Sequence, residues 1–451
     1  MRIPKLSDLN NKHILALIGN VVISVFSVLT MSLLLRTMTK VDVGVWFFFL
    51  SIYNLSDALR NGFLSTGTIK FYAGTQPLRG NEVLGSVWFL ALSASLGLMF
   101  LNLCVMPFIG MIQNPEIVLV IKWFGVTVLS SVTFNITFWI LVADEDYLTI
   151  LWMRLINSGS MILALLVMNY LKKSSLENLL IINFFTNCLT SLACIAFGYS
   201  RFKTIFKRSR ECMIELAHFG KFSLATSLSS NLLGSVNTFI ITPILGPAAL
   251  AVYNVPNKLM EIVEVLLRTF VGTGMSAMAT AYNSDNMYHL TFVTKKYAGM
   301  LTLLFIPLAI GAFFFADFAI WLLAGDKYAG TEAANIFRIF MLMAILYPID
   351  RFNGVTLDII HKPQINFYKV IIMLVVNVVA ISTGVYLLKN VYGAALAAPF
   401  SLVAGLAFGY YHLKKHLDGY SFRGIIATGY VELQLFARQM MLKFGPADKR
   451  A

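Results

Sequence analysis

The sequence predicts an all-α integral membrane protein, with about twelve transmembrane helices arranged in two six-helix lobes. Three observations carry that prediction. Hydrophobic residues make up 58% of the chain and charged residues 13%, with a mean hydropathy of +0.75, whereas a soluble chain carries about 25% charged residues. Apolar runs long enough to cross about 30 Å of hydrocarbon recur from end to end. Segments of the second half also repeat segments of the first.

The first apolar run, Ile14 to Leu35, has no small-residue cleavage site before Arg36. It is too long for a signal-peptide core and reads as an uncleaved first span. Long apolar stretches bounded by charges, Pro, Gly or Asn then place helices near 13–35, 43–73, 83–112, 115–142, 147–171 and 176–199. A second set follows near 213–242, 248–282, 296–324, 331–360, 364–388 and 391–413. The expected divisions are an N-terminal lobe over 1–200, a basic linker over 201–212, a C-terminal lobe over 213–415 and a tail over 416–451. The tail alternates apolar residues with Arg423, Glu432, Arg438 and Lys443, too polar for another span. It reads either as an amphipathic helix lying at the membrane interface or as a disordered segment.

Charge placement sets an expected orientation. Most Lys and Arg residues fall at the N-terminus, in the linker (Arg201, Lys203, Lys207, Arg208, Arg210), at Lys295 and Lys296, and in the tail. By the positive-inside rule these segments are cytoplasmic, as are both termini, with Lys172 and Lys173 the one contrary pair. The formal net charge of +13 is then explained by cytoplasmic loops facing anionic lipid headgroups, with no nucleic acid required.

Two pairs of segments align across the linker. Asp57 to Gly67 lies over Glu264 to Gly274, sharing Leu, Phe and a Thr-Gly pair, with an acid opening both. Phe134 and Asn135 lie over Phe352 and Asn353. These alignments pair helix 2 with 8 and helix 4 with 10, the pattern of a parallel repeat whose substrate site lies between its halves.

Enzyme chemistry finds no foothold. Gly220 and Lys221 are followed by Phe222, so there is no phosphate-binding loop, and HExxH and GxSxG are absent. Cys104, Cys188, Cys194 and Cys212 sit in or beside apolar runs without CxxC spacing and read as small buried side chains. No catalytic residues, cofactor or resident metal are expected. Asp144, Glu145 and Asp146 could hold a divalent cation on a sugar-nucleotide, but they read more simply as a solvated turn.

Intramembrane charge is the informative signal. Lys258, Glu261, Glu264 and Arg268 interrupt an apolar stretch and, at 100° per residue, share an arc of about 120° on one helix face. All four facing lipid would cost about 10 kcal/mol, so the face must look onto protein or water. On helix 2, Asp57 and Arg60 lie one turn apart. Two readings stay open: mutually neutralising pairs that hold the bundles together, or a polar cavity. In the second, Arg60, Lys258 and Arg268 bind a diphosphate or acidic sugar, while Asp57, Glu261 and Glu264 orient them or take a coupling ion, H+ or Na+. Gly405 and Gly409 form a GxxxG pair that suits close helix packing.

Four motifs carry a family resemblance. Leu35 and Arg36 with Val43, Gly44, Val45 and Trp46 resemble the opening of polysaccharide flippases in the multidrug/oligosaccharidyl-lipid/polysaccharide (MOP) exporter superfamily. The run from Leu245 through Gly246 and Pro247 to Glu261 resembles their helix 8 signature. Gly325 to Tyr328 resembles their G-x-x-Y, and Tyr392 to Ala398 the opening of their helix 12, with Ala394 or Ala395 in place of the second Gly. The resemblance implies a MATE-like fold of two rocking lobes in the bacterial inner membrane. These would move a polyprenyl-diphosphate-linked oligosaccharide, an O-antigen or capsule repeat unit, by alternating access. It places the relatives' basic positions on Lys258 and Arg60. It also implies membrane lipids, a polysaccharide polymerase and glycosyltransferases as partners. The alternatives are a cation-coupled multidrug exporter of the same superfamily and, from another class, a membrane glycosyltransferase, polymerase or ligase. The first run lacks the acid common in the exporters, and no large outer loop is available for the enzymes.

Overall fold

The computed structural model describes residues 12–112 and 114–444, and every regular element among them is helical. Both termini, whose cytoplasmic placement was expected above, lie outside the described residues. The helices are α1 (Lys12–Thr37), α2 (Lys40–Tyr72), α3 (Pro77–Val105), α4 (Pro115–Ser130), α5 (Val132–Ala143), α6 (Tyr147–Tyr170), α7 (Leu176–Ala196) and α8 (Arg210–Leu245). They continue as α9 (Pro247–Asn283), α10 (Met287–Phe314), α11 (Ala316–Ala324), α12 (Ala333–Ala344), α13 (Tyr347–Ile359), α14 (Pro363–Leu388), α15 (Val391–His416) and α16 (Phe422–Phe444).

Local chemistry sets the starts. Thr39 accepts from the Asp42 backbone N–H, Asn114 from Glu116 and Ile117, Asp146 from Thr149, and Asn286 from His289, each satisfying donors that the first turn leaves open. Pro77, Pro115 and Pro363 stand at first helical positions, where the missing N–H costs nothing. Among the described residues, ten helical segments are long and apolar enough to cross a membrane, and the pair α12 and α13, bent by 48°, makes an eleventh when taken as one span. Helix α2, at 33 residues, is long enough but carries Asp57 and Arg60 within it. With α2 included, twelve membrane-length segments coincide with the twelve expected, and the protein is a multi-pass membrane protein. Two of the twelve are interrupted: α4 yields to α5 at Ser131, and α12 to α13 at Ile345 and Leu346. The repeat-matched Asn135 and Asn353 each lie just beyond such a break.

The chain forms two compact units. One comprises Met1–Ala251 with Leu323–Lys327, the other Val252–Leu322 with Tyr328–Ala451. In the first, Leu64, Leu84, Trp88, Ile136, Trp139 and Ile140 form a buried cluster, and the Trp88 indole donates to the Ser200 carbonyl at 3.0 Å. Helix α8 lies along α2 through residues without bulk. A Cβ on Gly220 would stand 2.3 Å from the Phe63 carbonyl oxygen, and one on Gly62 2.6 Å from Ser227 Cβ. Small residues let membrane helices approach in the absence of a hydrophobic drive between them.

Three of the four sequence motifs meet at one end of this unit. A Cβ on Gly44 would fall 1.7 Å from the Pro247 carbonyl oxygen, and Gly325, at φ +71°, sits against the Arg36 side chain. The Lys327 ammonium donates to the carbonyls of Arg36, at 3.3 Å, and Met38. Burial, with Lys40 nearby, holds that ammonium below its ordinary pKa.

In the second unit α14 packs on α15 through Gly384 against Gly393, and through Gly405 against Met373. Gly405 and Gly409 thus serve packing within the unit. Helix α16 occupies most of the expected tail and packs along α10, where Gly299 and Gly429 nearly touch backbone to backbone. Lys296 pairs with Glu432 at 2.5 Å, and the buried Tyr420 hydroxyl donates to Asn353 Oδ1.

Candidate functional site

In the first unit, Arg60 is buried, with 2% of its surface exposed. Its guanidinium donates through Nη2 to Asp57 Oδ1 at 2.7 Å and to Ser131 Oγ at 3.1 Å. Through Nη1 it reaches the Val128 carbonyl at 2.9 Å and Ser95 Oγ at 3.3 Å. Val128 stands in the last turn of α4, where carbonyls lack an obligatory helical partner, so the break at Ser131 supplies two of the four acceptors. Asp57 in turn accepts from Asn135 Nδ2 at 2.7 Å and from Asn61 Nδ2, and Asn61 Oδ1 accepts from the Trp139 indole at 2.7 Å. Nearly every donor and acceptor of this network is matched, Arg60 Nε being the exception. In this conformation Arg60 has its four Nη contacts inside the protein and acts as a strut joining α2 to α3, α4 and α5.

The second unit holds the other two predicted cations. Lys258 pairs with Glu261 at 2.6 Å, and Arg268 with Glu264 at 3.0 Å, so the charged face of α9 is paired along its own helix. Unlike Arg60, most of these side chains are open: Arg268 is 61% exposed and Glu261 and Glu264 49%, while Lys258, at 22%, is half-buried. The opposite stripe, including Val263, Leu267 and Met278, is buried. The arrangement leaves accessible cations whose partners sit on the same helix and can be exchanged for an anion without breaking a tertiary contact.

A charge pair that the sequence reading did not single out lies between α13 and α14. Lys369 is 4% exposed and its ammonium donates to Asp350 Oδ1 at 2.9 Å and to the Asp350 carbonyl at 3.1 Å. The position of Lys369 about two turns inside an apolar helix was the signal the sequence offered. Beside it, the buried Asn353 accepts from Tyr420, and its Nδ2 has no partner. Among the described residues no group of three His, Cys, Asp or Glu could hold a metal ion. In the acidic turn, Asp146 caps α6 while Asp144 pairs with Arg201 at 2.8 Å.

Comparison with known proteins fits this architecture. The family model described as "Polysaccharide biosynthesis protein" matches residues 33–333. No curated protein gives a match. Among solved structures, the lipid II flippase MurJ in an inward closed conformation is similar at 14% identity, over 96% of this chain and 94% of that one, with a TM-score of 0.73. An inward-facing multidrug resistance MATE family transporter of the MOP superfamily is similar at 14% identity, over 94% and 96%, with a TM-score of 0.71. A MOP superfamily transporter from Pyrococcus furiosus follows at 15% identity, over 95% of each chain, with a TM-score of 0.59. At such identities the likeness establishes the fold alone, the one these transporters share. The family match spans well over half of the chain, and the protein therefore belongs to the polysaccharide biosynthesis protein family.

Proposed function

We propose that the protein is a flippase that carries a polyprenyl-diphosphate-linked oligosaccharide across the bacterial inner membrane by alternating access. The observation that carries the reading is the exposed Lys258–Glu261–Glu264–Arg268 face on an otherwise apolar helix, in a member of a polysaccharide biosynthesis family. An anion displacing Glu264 from Arg268 meets a planar fork of donors suited to phosphate, while Lys258 offers a compact charge. Arg60 is the third cation of the path, available to substrate only when its bonds to Asp57 and the α4–α5 break open. The released acids, Asp57, Glu261 and Glu264, are the groups that would take a coupling H+ or Na+. Both termini face the cytoplasm, and a polymerase and glycosyltransferases are the working partners.

Export of surface polysaccharide by cells expressing variants tests the reading. Lys258→Ala combined with Arg268→Ala is expected to stop export at undiminished protein level. Normal export by that double variant removes α9 from the mechanism. If the same cells instead lose resistance to cationic drugs, the multidrug reading replaces this one.

A further inference from the structure

At the end of the first unit that carries the 201–207 turn, a polar pocket of about 260 Å3 opens beside α2, α3 and the α5–α6 turn. In the proposed orientation this end is cytoplasmic. Tyr72, Thr75, Gly80, Asn81, Asp144 and Arg201 line it. Tyr72 donates its hydroxyl to Asp144 Oδ1 at 3.0 Å, and Arg201 Nη2 donates to Asp144 Oδ2 at 2.8 Å. The guanidinium also contacts the Tyr72 hydroxyl and lies 5.4 Å from the ring centroid. Gly80 makes room for this tyrosine: a Cβ there would stand 3.3 Å from its ring. The side chain of Asn81, at the start of the second turn of α3, makes no hydrogen bond among the described residues.

We propose that this pocket binds one pyranose ring of a glycan. It is smaller than the roughly 300–1,000 Å3 of sites for drug-sized ligands, so it accommodates a single ring and not a chain. Its lining is balanced in charge, with one carboxylate and one guanidinium in contact. A phosphate placed there would meet Asp144 as well as Arg201, and a cation would find a single carboxylate already bonded twice. An apolar ligand would leave the polar lining unmatched. Vicinal hydroxyls both donate and accept, and so satisfy Asp144, Arg201 and the unengaged Asn81 carboxamide together. The inference rests on the proposed function only for the origin of the sugar; the pocket's chemistry stands without it. The site uses none of the charged residues of α9 and would hold the sugar portion of a substrate.

Saturation-transfer NMR on the full-length protein in detergent tests the pocket, with methyl glycosides of glucose, galactose, mannose, rhamnose and N-acetylglucosamine as probes. At least one glycoside is expected to bind saturably. Asn81→Ala, which removes no bond within the protein, is expected to weaken it about tenfold, as is Asp144→Asn; the loss of one or two hydrogen bonds accounts for that factor. Absence of binding by every glycoside, or binding unchanged in both variants, overturns the proposal. So does competition by inorganic phosphate that Arg201→Gln abolishes, which marks an anion site. Polysaccharide export by Asn81→Ala cells then distinguishes the source. Slowed export supports a lipid-linked sugar; unchanged export with lost glycoside binding supports a free one. Because the binding measurement does not depend on export, failure of the pocket and failure of the flippase reading give different results.

Discussion

Arg60 and Arg268 show how the same side chain takes different roles through its surroundings. Buried Arg60 is bound by an aspartate, two serines and a helix-end carbonyl, so removing it leaves the half-buried Asp57 without its cation, with only the Asn61 and Asn135 amides as donors. Arg60→Ala should therefore destabilise the first unit by about 3–5 kcal/mol, read as a fall in thermal midpoint in detergent. Arg60→Lys, which keeps the charge, should recover part of that loss. Lys369 and Asp350 obey the same rule. Lys369→Met alone should destabilise strongly, and Lys369→Met with Asp350→Asn should destabilise much less; equal effects would show that the pair is not coupled. Replacement of Arg268 by Ala removes an exposed pair worth about 0–1 kcal/mol and should leave the midpoint nearly unchanged; Lys258→Ala breaks only a pair within its own helix and should lower it little. The presence of charge at 57, 60, 258 and 268 was readable from the sequence because ionised groups in apolar helices are rare. The engagement of both Nη atoms of Arg60 was not, because its acceptors Ser95, Val128 and Ser131 lie 35, 68 and 71 residues away.

At the scale of helices, glycines set the spacing. Gly44→Val should drive a side chain into the Pro247 backbone and separate α2 from the start of α9, lowering the yield of folded protein on size exclusion. Gly62→Ala, by contrast, meets the Ser227 side chain and should be milder. The seam of Gly299 and Gly429 holds α16 to α10. Gly429→Leu should expose α16 to limited proteolysis while the rest of the chain keeps its resistance; an unchanged digest would show that α16 is held by Lys296, Glu432 and Tyr420 alone. Helix positions were legible because each span is a long apolar run. The interruptions were not. Ser131 is neither Gly nor Pro, and only Pro348 on the second turn-side of the other break gives any local sign. The packing of α16 was equally hidden, since its pattern suits a membrane surface as well as a neighbouring helix.

For the whole molecule, the family match fixes the biochemical setting and the fold likeness fixes the architecture, while the cargo is the matter of the proposal. The end of α1, the start of α2, the loop at Gly325 and the start of α9 converge in the first unit through Arg36, Gly44, Gly325 and Pro247. That convergence explains as packing what the sequence presented as family signature. Double replacement of Lys258 and Arg268 with retained stability is the measurement that separates transport from folding, because those residues carry little of the structure.

The charges of α2 also bear on biogenesis. Arg60 leaves the ribosome 71 residues before Ser131, so at about 5–20 residues per second it waits on the order of 4–14 s for the last of its acceptors. During that interval only Asp57, three residues upstream, is at hand to neutralise it. Helix α2 with Asp57→Ala should then insert poorly in a translocon reporter when expressed without α4, and recover when the reporter extends through α5. The aspartate would thus act as an internal chaperone for its arginine before it becomes part of the finished strut.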